Sequence, residues 1–237
     1  MVFALVLAGG TGSRMGNSGK PKQFLMACGK PVIIHTLEKF CLHGGARQII
    51  VLCPSLWVSY AQGIINEYLG DYIESITVIC GGESRNDTIM AGISYIEGCY
   101  GLDDSTIIVT HDAARPFINK RIIDENIETA LKYGAATTAV PATDTILCCP
   151  DGRTVGSVAD RTALYMCQTP QTFYAKKLQG LYNALTASEK EKLTDASGIL
   201  VKNNLPVGIV QGEMYNFKIT YPNDLAVAEE YIRRGIV

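Results

Sequence analysis

"VFALVLAGGTGSRMGNSGKPKQF", residues 2–24, begins as an unbroken apolar run and turns at Gly9 into a glycine-rich loop carrying Arg14, Lys20 and Lys22. Six apolar residues with no polar face read as a strand covered on both sides, the pattern of a parallel sheet flanked by helices. The same signal returns at residues 48–53, 76–80, 106–110 and 136–140. Helical periods separate these runs. Ile34, Leu37, Glu38 and Cys41 mark one helix and residues 86–96 another. In residues 119–133, Ile123, Ile127, Ala130 and Leu131 share a stripe behind Asn119, an N-cap candidate. Alternating strand and helix predicts an α/β fold with a doubly wound, mostly parallel sheet, whose ligands sit beyond the carboxyl ends of the strands.

The rhythm breaks after Pro141. Residues 142–163 are polar, "CCPDGRT" reads as a turn, and "VGSVADRTALYMCQTPQTF" has no helical period. An antiparallel hairpin or protruding β-arm is expected there rather than another strand–helix unit. Such an arm cannot bury itself, so a homodimer is expected, with residues 142–163 as the dimerisation arm. Helical patterns resume at 175–187 and 195–202, a strand at 207–211 and a last helix at 222–234, with Pro222 in its first turn. With no repeat or linker, residues 1–237 read as a single domain.

The 237 residues, 47% of them hydrophobic, suffice for one sizeable core. With 21 basic against 23 acidic side chains, the net charge of -2 creates no global field for nucleic acid or an anionic membrane. Any anion site must be local. The eight cysteines are scattered without a C-x-x-C pair, which fits buried thiols in a reducing cytosol rather than a zinc or redox motif. The first apolar run is far shorter than the roughly 20 residues that span a bilayer and has no basic segment before it. The expectation is a soluble cytoplasmic protein, with neither nucleic acid nor membrane as a partner.

Two common phosphate grips fail on the opening loop. A Walker A loop needs Gly-Lys-Ser/Thr, but Gly19-Lys20 is followed by Pro21. A dinucleotide turn needs a third glycine where Met15 stands. What remains is a loop in which Gly9, Gly10 and Gly12 allow close backbone approach, while Arg14 and Lys22 supply a planar fork and a point charge suited to a triphosphate. Pro21 and Phe24 flank Lys22 and restrict it. Lys20 has no such setting and is not assigned a role.

Further motifs lie at the ends of later strands. "GGESRNDTI" (residues 81–89) offers glycines that admit a flat ring and polar groups for a pyrimidine edge, the Thr88 hydroxyl among them. "THDAARPF" (110–117) places Asp112 where a strand ends, a natural Mg²⁺ ligand beside a triphosphate. His111, His35 and His43 read as structural, since no histidine or carboxylate lies at metal spacing. Lys218 fits an alternating strand, Arg161 an ion pair on the arm, and Asp195 a helix cap.

"LAGGTGSRMGNSGKPKQF" resembles the signature L-x-A-G-G-x-G-x-R-M...P-K-Q of sugar-phosphate nucleotidyltransferases. With "GGESRNDTI", "THDAARPF", "TDTI" (143–146), "DRTALYMCQTPQTF" (160–173), "TDAS" (194–197) and "NFKITYPNDLAVAE" (216–229), the chain is similar to the cytidylyltransferase branch that includes methylerythritol-phosphate and ribitol-phosphate enzymes. The resemblance implies a Rossmann-like nucleotidyltransferase fold and an enzyme that uses CTP and a polyol phosphate with Mg²⁺. It implies catalytic Arg14 and Lys22. It implies CTP contacts from Leu7, Ala8, Gly9, Gly10, Gly12, Gly81, Gly82, Glu83, Arg85, Asn86, Asp87, Thr88, Ala113 and Arg115. Lys218, Thr145 and Arg161 would position the acceptor phosphate, the last two in the neighbouring subunit's site. Asp112 would bind the metal, and Gln168 and Thr169 would close the pocket.

Thr143 before Asp144-Thr145, the short "TDAS", and "EKEKLTDAS" favour ribitol 5-phosphate as acceptor, giving CDP-ribitol for teichoic-acid-like or capsular polymers. Ala113-Ala114 is the form of the methylerythritol branch, whose product serves isoprenoid synthesis. Two other classes remain readable. A glycosyltransferase would want Asp-x-Asp at the end of the fourth strand, where the sequence is His-Asp-Ala-Ala. A CTP-binding sensor would not need Arg14, Lys22 and Lys218 together.

Overall fold

The computed structural model describes residues 1–10, 12–16 and 19–236, so Thr11, Asn17 and Ser18 of the glycine loop lie outside the described residues. In chain order the elements are β1 (Val2–Leu7), β2 (Met26–Ala27), β3 (Lys30–Pro31), α1 (Val32–His43), β4 (Ile49–Cys53), α2 (Val58–Tyr68), β5 (Ile76–Cys80), α3 (Arg85–Tyr100), β6 (Ile107–Asp112), α4 (Lys120–Tyr133) and β7 (Ala135–Pro141). There follow β8 (Leu147–Cys148), β9 (Ser157–Val158), β10 (Tyr165–Tyr174), α5 (Ala175–Asn183), α6 (Ala187–Glu191), α7 (Ser197–Lys202), β11 (Gly208–Gln211) and α8 (Pro222–Arg233). The five strands expected from apolar runs are all present, in one sheet of order β11-β7-β10-β6-β1-β4-β5. Neighbours run parallel except at β10, which is antiparallel to both β6 and β7.

Each face of the sheet buries its own apolar layer. Ala4, Val6, Val51 and Val109 pack against Ile33, Leu37, Ile65 and Ile122 of α1, α2 and α4. The alternate residues Phe3, Leu5, Ile50 and Ile108 pack against Ile89, Ile93, Leu178 and Ile199 of α3, α5 and α7. Period-2 alternation thus feeds both layers, which is why these strands look apolar throughout. Asn119 caps α4 as expected, accepting the Ile122 N–H at 3.0 Å. Pro222 opens α8.

The reading of the stretch after Pro141 needs correction in part. Asp151 accepts the Arg153 and Thr154 N–H groups, so "CCPDGRT" is a turn as expected, and it joins the antiparallel pair β8 and β9. Residues 165–174, however, are a central strand, not part of an arm: Gln171 lies opposite Thr110 on one side and Thr137 on the other. Gln171 and Thr172 are fully buried. A buried strand made of polar residues carries no hydrophobic period. The expected helix at 175–187 is two short ones, broken between Asn183 and Ala187. Among the described residues no helix is long and apolar enough to cross a membrane.

Candidate active site

The ends of β1, β5 and β6 open onto a cleft of about 240 Å³. It is lined by Leu7, Gly9 and Gly10 after β1, Lys22 and Gln23 of the following turn, Gly82, Glu83, Ser84, Arg85 and Thr88 after β5, and Asp112, Ala114 and Lys218. The site lies where the alternation rule placed it, beyond the carboxyl ends of the strands.

The glycine loop is held at its ends. Gly12 has φ 73°, and a Cβ there would stand 3.1 Å from the Lys22 backbone nitrogen, so glycine is required on both counts. Pro21 leads into a single turn, Lys22–Phe24, in which Lys22 is 7% exposed. Phe24 anchors that turn between Trp57 and Tyr60, with ring centroids 5.4 and 5.3 Å away. The Gln23 amide donates to the Ala8 carbonyl at the end of β1. Lys20 instead hydrogen-bonds the Tyr60 hydroxyl at 3.0 Å.

Asp112 is the electrostatic centre. Its Oδ2 meets Lys218 Nζ at 2.9 Å and Arg115 Nε at 3.3 Å, and its Oδ1 faces Arg85 Nε at 3.7 Å. Burial alone would raise its pKa, but Lys218, Arg85 and Arg115 outweigh it and hold the carboxyl well below the usual range. Lys218, Arg85 and Arg115 thus surround the fixed carboxylate of Asp112, while Glu83 is the other acidic residue of the lining. Burial, reinforced by repulsion from Lys218, lowers the Lys22 ammonium to about 8. A phosphate is the group such a site attracts.

That depressed value has a binding signature. In the unliganded protein Lys22 gives up its proton as pH rises through about 8, so affinity for a phosphate-bearing ligand is expected to fall on the alkaline side with a midpoint there. An affinity that stays level from pH 7 to pH 10 would contradict this.

Several expected contacts are placed elsewhere. Arg14 is exposed and lies outside the cleft lining, its guanidinium 5.6 Å from the centre of the Tyr221 ring. Ala8, Gly12, Gly81, Asn86 and Ala113 flank the lining rather than form it. Asp87 is spent on structure: Oδ2 accepts from the Ser84 N–H and hydroxyl, and Oδ1 from Tyr182 at 2.8 Å. Gly82 packs on that turn so closely that a Cβ would come within 2.5 Å of the Asp87 Cβ. The Thr88 hydroxyl, expected to read a base, donates to the Ser84 carbonyl at 2.8 Å and accepts the Gly82 N–H at 3.1 Å. These bonds shape the loop, and Thr88 also lines the cleft. Arg115 braces Asp112 and donates to the Asn216 carbonyl at 2.8 Å. Arg85 leans toward Asp112 and leaves Nη1 buried with no hydrogen-bond partner among the described residues.

Gln168 and Thr169 are buried supports rather than a closing edge. Thr169 Oγ1 accepts the Asp112 N–H at 3.1 Å and lies 3.0 Å from His111 Nδ1. Asp195 behaves as a cap, accepting the Gly198 N–H at 3.1 Å, and also receives Gln171. Thr145 and Arg161 lie on the exposed 142–163 segment, where Arg161 donates to the Thr143 carbonyl at 2.7 Å. Gln23, Ser84 and Ala114 were not singled out from sequence, although each sits inside a motif that was.

His111 is structural, as expected. It is fully buried, with Nε2 3.0 Å from the Arg115 carbonyl, and burial pushes its pKa down to about 4. The unfolded chain takes up this proton near pH 6.5 and the native one only near 4, so stability is whole above 6.5 and declines as pH falls through that window. The loss reaches about 3 kcal/mol at the bottom of the window. Urea denaturation should show the decline between pH 6.5 and 4.5, and His111→Gln should flatten it. An unchanged slope in that variant would refute the assignment.

For a divalent metal, Asp112 offers what one carboxylate can. Among the described residues its Oδ1 has only the long Arg85 contact, so a lone pair remains to join an ion that phosphate oxygens also hold. Among the described residues no three His, Cys, Asp or Glu side chains are grouped to bind a metal by themselves. The donor set fits an ion that arrives with the triphosphate.

A glycine loop at the first strand, a cationic cleft and a mostly parallel sheet together define a nucleotidyltransferase. The chain belongs to the 2-C-methyl-D-erythritol 4-phosphate cytidylyltransferase (IspD) family, whose model matches residues 2–234. It is 46% identical over 234 residues to a ribitol-5-phosphate cytidylyltransferase of Lactiplantibacillus plantarum, covering 99% of both chains. Among solved structures, 4-diphosphocytidyl-2C-methyl-D-erythritol synthase from Anaerococcus prevotii superposes with a TM-score of 0.79 at 25% identity, over 99% of this chain and 96% of that one. The 2-C-methyl-D-erythritol 4-phosphate cytidylyltransferase of Thermus thermophilus gives 0.75 at 26%, over 98% and 100%.

Proposed function

We propose that this chain transfers the cytidylyl group of CTP to D-ribitol 5-phosphate, giving CDP-ribitol and pyrophosphate. The observation that carries this reading is the 46% identity, over nearly the whole of both chains, to a ribitol-5-phosphate cytidylyltransferase. The acceptor phosphate attacks the α-phosphorus in line. Being already an anion, it needs no general base, so catalysis is positioning and stabilisation of charge on the pentacoordinate phosphorus.

Lys22, at the cleft wall, neutralises the α-phosphate and the departing pyrophosphate, joined by Arg14 from the mouth. The Gly81–Gly82 turn and Glu83, held by Ser84, Asp87 and Thr88, bound the base. Lys218 takes the acceptor phosphate, while Asp112 keeps Lys218 and Arg115 from drifting into solvent. Mg²⁺ would be held by the triphosphate with Asp112, and when bound it spreads the charge of the phosphate oxygens.

Residues 142–163 serve a homodimer in this reading, and Thr145 and Arg161 reach the neighbouring subunit's acceptor. Ile146, Leu147, Val155 and Val158 leave apolar surface on that segment for a partner to cover. Sedimentation as a monomer at micromolar concentration would remove the shared-site part. A cytoplasmic location suits eight unpaired cysteines, and CDP-ribitol suits supply of teichoic-acid-like or capsular polymers.

Pyrophosphate release, measured with CTP and each polyol phosphate separately, tests the whole. Release with ribitol 5-phosphate is the expected result. Release only with methylerythritol 4-phosphate, the substrate in the family's name, would move the acceptor assignment; CTP binding with no release would favour a sensor.

A further inference from the structure

The segment between β11 and α8 is fixed to the sheet along its length. Asn216 is fully buried and donates to the Thr169 carbonyl at 2.9 Å and to Gln168 Oε1 at 3.2 Å. The Ile219 N–H reaches the Ala114 carbonyl at 2.9 Å. The Thr220 and Tyr221 N–H groups both donate to Asp224 Oδ2, each at 2.8 Å. A backbone held in this way carries both Lys218 and Tyr221. Lys218 enters the cleft. Tyr221, 53% exposed, presents its ring to the Arg14 guanidinium.

Arg14 needs such a partner. It sits on a single turn between Gly12 and Gly16, both with positive φ, and is exposed to solvent. Lys22, Lys218 and Arg115 gather around one carboxylate nearby, so the local field repels a further cation. An exposed arginine ranges over many rotamers, and fixing one of them at the moment of reaction costs free energy. A carboxylate partner would hold Arg14 but cancel the charge that a triphosphate must meet. An aromatic face attracts the guanidinium and leaves its charge in place.

We propose that Tyr221 is a positioning residue: its ring holds Arg14 at the mouth of the cleft, arranged for the triphosphate, and acts on the reaction only through Arg14. The proposal rests on the reading of Arg14 as a catalytic cation. It also gives the Lys218 segment a second task, since the same short run of backbone then sets one residue for the acceptor and one for the donor.

The test is a double-mutant cycle read at saturating concentrations of both substrates. Tyr221→Leu should lower kcat about two- to fivefold, the range of a cation–π contact at an exposed site, and leave the acceptor KM unchanged. Tyr221→Phe keeps the ring and should retain wild-type kcat. In an Arg14→Ala background Tyr221→Leu should have no further effect. An equal loss in both backgrounds overturns the proposal and leaves Arg14 its role. Wild-type kcat in Arg14→Ala removes the reading of Arg14 and this proposal with it. A Tyr221→Phe protein as impaired as Tyr221→Leu would assign the effect to the hydroxyl and refute the ring argument. Thermal melting should be unaltered in each variant, because the Asp224 cap of α8 uses only backbone groups of Tyr221.

Discussion

Lys22→Ala is expected to lower kcat at saturating CTP by about a hundredfold or more, the range seen when one preorganised donor to a developing oxyanion is removed. The expectation follows from where the ammonium is. It is buried in the cleft wall, its position fixed by Pro21 before it and Phe24 after it, so its charge acts across a medium that screens weakly. Saturation with CTP cannot replace it, because what is lost is stabilisation gained as the α-phosphorus becomes pentacoordinate. The loss should therefore fall on kcat and not be confined to KM. Removing a desolvated cation that other cations repel should not unfold the protein, and a melting curve separates the two effects. Near wild-type kcat in the alanine variant would sink the assignment.

Lys218→Ala should act on the other substrate. The acceptor phosphate loses a charge-assisted contact and meets Asp112 with its nearest cation gone, so the acceptor KM should rise about tenfold to a hundredfold. The KM for CTP should change little. Arg115 and Arg85 still flank Asp112 in this variant, which keeps the carboxylate ionised and the floor of the cleft intact. In the proposed homodimer, Arg161→Ala is expected to move the same constant in the same direction from the neighbouring subunit. Equal changes in both substrates' KM values would argue that Lys218 supports the cleft as a whole.

The sheet was legible because its parallel strands are buried on both faces, and a buried strand such as Val2–Leu7 has no choice but to be apolar. β10 was not legible for the complementary reason. Gln168, Thr169, Gln171 and Thr172 are all buried, and the side chains of the first three bond partners far away in sequence: Asn216, Asp112, His111 and Asp195. No local pattern announces such bonds.

The site divides in the same way. Glycines and cations near strand ends pointed to the cleft, and Lys22, Asp112 and Lys218 do meet there. The motif "GGESRNDTI" named the right loop but could not say which polar groups face outward. A capping box and a Tyr182 contact claim Asp87, and the Ser84 carbonyl takes the Thr88 proton. Whether a polar atom serves the ligand or the backbone is decided here partly by a local helix cap, which the Ser84–Asp87 spacing permits, and partly by the distant Tyr182.

One consequence of the sheet order concerns how such a protein can change over time. Pro141 at the end of β7 lies directly opposite Tyr165 at the start of β10. The whole excursion between them leaves the sheet and comes back at one rung of the same ladder, so in topology it is the loop of a hairpin. A hairpin loop can lengthen at little entropic cost, each doubling adding only about 0.6 kcal/mol, or shrink to a tight turn. Such a segment can be recut, exchanged or tuned to a new partner while the register of β7 against β10, and with it the bed on which Asp112 rests, is inherited unaltered.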